Sequence, residues 1–208
     1  SFLNIPYHLV PGAGRVYVKA GEEFTYEKWI EAFKRGRTFV TNGPLLQIEF
    51  NGEDPGAEFR SASKSFIMTI TGTVQSIVPI DSVEIVVNGD VVRRMPFDPE
   101  TQSLRIEEEI ELTQSSWVAV RSIAAGHRWV TNDRDTFAHT SPVYVELGGK
   151  PIVSKRDAQF YSDQIDILIA KMETQGVFEN SEQRHAIVKR FREGQEVYQK
   201  MIQSVDSL

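Results

Sequence analysis

The chain has 208 residues, 40% hydrophobic, 10% aromatic and 25% charged, a globular composition that excludes disordered, collagenous and coiled-coil classes. Its 23 lysines and arginines stand against 29 aspartates and glutamates, a net charge of −6 with no basic block, which excludes a general binder of nucleic-acid backbones. There is no cysteine for disulfides, thiolate metal sites or nucleophiles, no apolar run near the roughly 20 residues that span a bilayer, and no visible signal peptide.

Three regions follow one another: 1–46, 47–149 and 150–208. In the first, Asn4 to Gly14 is rich in proline and glycine, and Arg15-Val16-Tyr17-Val18 predicts a short strand. Thr25 is a candidate N-cap for a helix that places Tyr26, Trp29, Ile30 and Phe33 on one face and stops at Gly36. Phe39-Val40 predicts another short strand, broken by a turn at Asn42-Gly43-Pro44.

The second region changes period from 3.6 to 2. Leu46-Ile48-Phe50, Phe66-Met68-Ile70 and Val83-Ile85-Val87 alternate, and the last runs into Asn88-Gly89, the strongest short-range signal for a hairpin, with Val91-Val92 starting the return strand. Leu104 to Leu112, Trp117 to Val120 and Val143 to Leu147 supply the rest. Six or seven short strands without an intervening helix predict an antiparallel sandwich. Glu84, Arg105, Glu107, Glu109 and Glu111 read as a solvated face. Glu107-Glu108-Glu109 has the chemistry of a hard-cation site, but an edge strand blunted by charge is the favoured reading.

The third region returns to helical spacing. Tyr161, Ile165, Leu168, Ile169 and Met172 form one stripe ending near Gly176, and Ile187, Phe191, Tyr198 and Ile202 form another after an Asn180/Gln183 capping box. Two helices with one apolar face each must pack on something, the sandwich or a neighbour.

Chemistry-bearing motifs are sparse. His8, His127, His139 and His185 share no short-range metal spacing, and hydrolase elbows, zinc-protease helices and phosphate loops are missing from the sequence. His185 reads as solvent-exposed and His127 as a loop residue. His139, with Thr140 and Ser141 before Pro142, reads as a structural polar site holding the start of a strand, with a ligand role as the second choice. Arg15, Arg37 and Asn42 gather around the turns of region one and could face an anion, although an asparagine before glycine also serves a turn.

The run Gly36-Arg37-Thr38-Phe39-Val40-Thr41-Asn42-Gly43-Pro44-Leu45-Leu46 resembles a segment typical of CehA/McbA-type metallohydrolases, of the PHP (polymerase and histidinol phosphatase) superfamily. Gly14 to Val18 and Tyr26 to Phe33 resemble the end of that family's barrel. Val86-Val87-Asn88-Gly89 and Ala138-His139-Thr140-Ser141-Pro142-Val143-Tyr144-Val145 resemble its C-terminal domain. Asp157-Ala158-Gln159-Phe160-Tyr161 with Ile165-Asp166 resembles its closing helical hairpin. In order, these segments cover nearly the whole chain.

The resemblance implies an α+β chain: a tail of the barrel (1–46), an immunoglobulin-like antiparallel β-sandwich (47–149) and a helical hairpin (150–208). It implies divalent metal ions in the full-length parent and none in this chain, because the family's His-x-His ligands are missing and Ser1 falls just downstream of its last metal ligand. Arg15, Arg37, Thr41 and Asn42 would then lie at the barrel mouth or face substrate. The expected partners are the missing N-terminal barrel or a second copy through exposed apolar faces, without nucleic acid or membrane. The favoured function is the non-catalytic C-terminal portion of a hydrolase of phosphoester, ester or carbamate bonds. The alternative is a free-standing β-sandwich module that binds carbohydrate, peptide or a partner protein.

Overall fold

The computed structural model describes residues 14–128 and 134–206. The Pro/Gly-rich opening with His8, and Trp129, lie outside the described residues. The chain divides into two units, Ser1–Ile152 and Val153–Leu208.

The first unit runs β1 (Arg15–Val18), α1 (Tyr26–Lys34), β2 (Thr38–Thr41), β3 (Leu45–Phe50), β4 (Glu58–Ser61), β5 (Phe66–Gln75), β6 (Ser82–Val87), β7 (Asp90–Pro96), β8 (Ser103–Leu112), β9 (Ser116–Ala124), β10 (Thr136–Thr140) and β11 (Val143–Leu147). These strands form two sheets. The smaller is β3-β5-β8; the larger runs β1-β2-β10-β9-β11-β4, with β6 also on β9 and β7 outside β6. β9 organises the larger sheet. One of its edges carries β6, and the other carries β10 and β11 end to end.

The core fills the space between the sheets. Phe50, Met68, Ile70 and Val74 of the smaller sheet and Val83, Ile85, Val118, Val120, Val143 and Val145 of the larger are fully buried and belong to one cluster. Alternation along each strand produces this, since residues two apart share a face. Among the described residues, no helix interrupts 47–149. The Asn88-Gly89 turn has φ of 51° and 94°, the two positive angles that this type of hairpin needs.

Several details depart from the sequence reading. Nine strands, not six or seven, occupy β3 to β11; the two unforeseen ones are β4 and β10, which carry only four and five residues. The sandwich is not wholly antiparallel, because β4 pairs with β11 in parallel. β1 and β2 are not separate from the sandwich: β2 pairs with β10, so residues before 46 extend the larger sheet. Glu84 is buried at 8% exposure, not solvated. The acidic β8 is a sheet edge, hydrogen-bonded to β5 alone.

The second unit is a hairpin of α2 (Lys155–Gln175) and α3 (Ser181–Asp206). Ser154 caps α2, its side chain accepting from the Asp157 N–H at 3.2 Å. Asn180 Oδ1 accepts from the Gln183 N–H at 2.8 Å, and Gln183 reaches back to the Glu179 N–H, one residue earlier than a capping box requires. The buried face of α2 is made by Ala158, Ser162 and Ile169, while Tyr161 and Leu168 of the expected stripe are exposed. Small residues allow close helix approach, so the stripe of large side chains and the packed seam are offset. The seam is locked by Gln195, which donates to the Ser162 carbonyl at 3.0 Å and accepts from Arg192, itself paired with Asp166.

Candidate functional site

The two segments singled out around Thr41 and His139 lie side by side. Antiparallel pairing sets Ala138 opposite Thr41 and His139 opposite Val40. Where β2 ends, Thr41 Oγ1 donates its one proton to the Pro44 carbonyl at 2.6 Å, with the Phe137 carbonyl 3.1 Å away, and accepts from the Gly43 N–H at 2.9 Å. Asn42 continues the ladder with its side chain. Its backbone N–H donates to the Phe137 carbonyl, its Oδ1 accepts from the Phe137 N–H at 2.8 Å, and its Nδ2 donates to the Asp135 carbonyl at 2.7 Å. Both residues are buried, and their polar atoms are spent on the turn.

At the other end of β2, Thr38 and Ser141 bond through their hydroxyls at 2.7 Å, and the Ser141 N–H donates to the Thr38 carbonyl. Thr140 Oγ1 accepts from the Val120 N–H, stitching β10 to β9. His139 Nδ1 lies against the Thr140 carbonyl, a contact that requires the proton on that nitrogen. Gly36 and Gly56 let two loops meet here. A side-chain carbon at Gly56 would stand 2.0 Å from the Arg35 carbonyl oxygen, and both glycines have positive φ. His139, Thr140 and Ser141 therefore sit in a structural junction among β2, β9 and β10.

Arg15 and Arg37 do not converge. Arg15 is exposed and pairs with Thr41, whereas Arg37 precedes Thr38, four residues away, roughly 13 Å at the rise of an extended chain. Arg37 Nε lies 3.6 Å from Asp54, whose other oxygen takes Lys19 at 2.5 Å, and Lys19 also reaches Glu49 at 3.1 Å. The hydrogen bond that Lys19 donates to the Asp54 carboxylate is the main cause that holds its ammonium above its ordinary pKa. Asp54 thus engages Arg37 together with Lys19, at the far end of β2 from Arg15.

The sequence reading missed a second polar cluster. One row crosses six strands on the outer face of the larger sheet: Val16, Val40, His139, Arg121, Glu84 and Arg94. Glu84 Oε1 accepts from Arg94 Nε and Nη2 at 2.9 and 2.6 Å, and Oε2 accepts from Arg121 Nε at 2.8 Å. Burial pushes the Glu84 carboxyl up, but hydrogen bonds and charge from Arg121 and Arg94 outweigh it and hold the group below its ordinary value. The only available signal was a glutamate inside the continuous apolar run Val83 to Val87. Beside it is a shallow cleft lined by Asp81, Ser82, Glu84, Arg94, Pro96 and Ile123. Both arginines converge on the Glu84 carboxylate, so the cluster fastens β9, β6 and β7 to one another.

Among the described residues, no three histidines or carboxylates converge to hold an ion. His185 is exposed, with Nδ1 on the Ser181 carbonyl, far in sequence from His139 and His127.

No family model matches the chain, and no curated protein matches it. Among solved structures, the fibronectin(III)-like modules of CbhA from Clostridium thermocellum are similar at 13% identity with a TM-score of 0.24, over 49% of this chain and 98% of that chain.

Proposed function

We propose that this chain is the non-catalytic C-terminal portion of a metal-dependent hydrolase of phosphoester, ester or carbamate bonds, with the metal-binding barrel upstream. The finer fold reading, an immunoglobulin-like sandwich preceded by a barrel remnant, belongs to the same proposal. One observation supports it. Two segments that carry the resemblance, Gly36 to Leu46 and Ala138 to Val145, lie about a hundred residues apart yet pair as neighbouring strands, with Thr38 bonded to Ser141 at one end of β2 and Asn42 to Phe137 at the other. They behave as a unit of architecture whose side chains are used for structure, as a scaffold adjoining a catalytic body would require.

On this reading divalent ions belong to the upstream barrel, where they would activate water and polarise the scissile group. Val16, Val40, Phe137 and Ile123 share the outer face of four neighbouring strands and are all exposed. They are the surface on which the barrel would pack.

The test compares this chain with a polypeptide extended upstream, both metal-replete, on p-nitrophenyl phosphate and ester substrates with a chelator control. The extended protein should show chelator-sensitive turnover and the 208-residue chain none. Chelator-sensitive turnover by the short chain, or an upstream reading frame without His-x-His elements, would overturn the proposal.

A further inference from the structure

The sequence contains three Asn-Gly dipeptides, at Asn42-Gly43, Asn51-Gly52 and Asn88-Gly89. All three asparagines repeat one motif. Each donates its backbone N–H to a carbonyl on a neighbouring strand and accepts, on Oδ1, the N–H of that same residue: Phe137 for Asn42, Thr69 for Asn51 and Trp117 for Asn88.

They differ in what guards the reactive atoms. Asn42 is buried, its Nδ2 is fixed at 2.7 Å, and the Gly43 N–H is engaged by Thr41 Oγ1. Asn88 is half-buried, with Nδ2 on Ser116 Oγ at 3.0 Å. Asn51 is exposed, its Nδ2 has only a 3.4 Å contact with the Ile67 carbonyl, and Gly52 beside it is exposed with open space over its α-carbon. The asparagine must leave its clamp before the backbone nitrogen can attack, and that opening costs least at the solvent-facing tip.

We propose that Asn51 is a spontaneous modification site of the folded protein, deamidating through a succinimide with Gly52, while Asn42 and Asn88 are protected by their burial and hydrogen bonds. The Gly52 backbone nitrogen gives up its proton to solvent and bonds to the Asn51 side-chain carbonyl carbon. The bond from that carbon to Nδ2 breaks, and ammonia leaves with the proton. Water then opens the five-membered ring at either carbonyl, yielding aspartate or isoaspartate, with no change of oxidation state. The product carries a new negative charge between Glu49 and Glu53, and in the isoaspartate form one extra methylene in the hairpin backbone.

The experiment ages the folded protein in mildly alkaline buffer, with a parallel sample in urea, and follows the three Asn-Gly peptides by mass spectrometry. In the folded sample position 51 should deamidate about tenfold or more faster than position 42, with position 88 also behind, and the three rates should draw together in urea. Equal rates in the folded protein, or position 42 or 88 in the lead, would overturn the proposal. So would an unchanged tenfold lead in urea, because the order would then come from local sequence and not from the fold.

Discussion

Phe137 gives its backbone N–H to Asn42 Oδ1 at 2.8 Å and takes the Asn42 N–H on its own carbonyl at 3.1 Å. A side-chain amide thereby stands in for a strand's carbonyl while the chain turns away into β3. Asn42→Ala removes two hydrogen bonds and leaves the Phe137 N–H and Asp135 carbonyl without them, which should cost roughly 2–3 kcal/mol. The same change at Asn51 removes the bond from the Thr69 N–H but at an exposed tip where water replaces it, and should cost less, about 1 kcal/mol. Urea unfolding midpoints compare the two.

Glu84 should make stability acid-sensitive. Its folded pKa lies below its unfolded one, so its contribution is present above the unfolded value and is lost as pH falls through the folded value. Glu84→Gln should destabilise by roughly 1–3 kcal/mol near neutrality, because Arg94 and Arg121 lose a charged acceptor. The gap between the proteins should stay flat at neutral pH and close as acid protonates the wild-type carboxyl. Unfolding curves collected over a pH series read both effects.

At Gly56 a β-carbon would press on the Arg35 carbonyl and on Gly36, with φ at +86°. Gly56→Ala should therefore cost roughly 3 kcal/mol, from strain in the left-handed region together with overpacking. Gly89, also at positive φ but with nothing within 4 Å, provides the control. Its alanine variant should lose only the backbone term, about 1 kcal/mol. Thermal melts of both variants separate contact from conformation.

In the helical hairpin, Gln195 joins α3 to the Ser162 carbonyl of α2 from a buried position. Gln195→Ala should weaken the hairpin by roughly 1–2 kcal/mol. Amide exchange should accelerate in both helices, α2 and α3, which this bond joins.

The sequence made the sandwich legible because its strands alternate cleanly, as in Met68-Thr69-Ile70, and because Asn88-Gly89 demands positive φ. It hid β10, whose Thr136, Ala138 and Thr140 are buried yet carry small side chains that give no apolar period. It hid β4 for want of length. Glu84 was misjudged because alternation equates polar with solvated, whereas two arginines from neighbouring strands supply the missing solvation. Asn42 is legible as an asparagine before glycine at a turn, and Thr41 only through the resemblance. Their bonding partner, Phe137, lies too far along the chain for any local pattern to disclose.

The bond between Thr38 and Ser141 joins residues 103 positions apart. A ribosome adding roughly 5–20 residues per second needs about 5–20 seconds to make that intervening stretch. Throughout that interval β2 lacks its inner neighbour β10, and within the larger sheet it has β1 alone to pair with. Among the described strands, β1 and β2 leave the ribosome earliest yet are among the last to be closed into their sheet, and a chaperone has that whole interval in which to hold them.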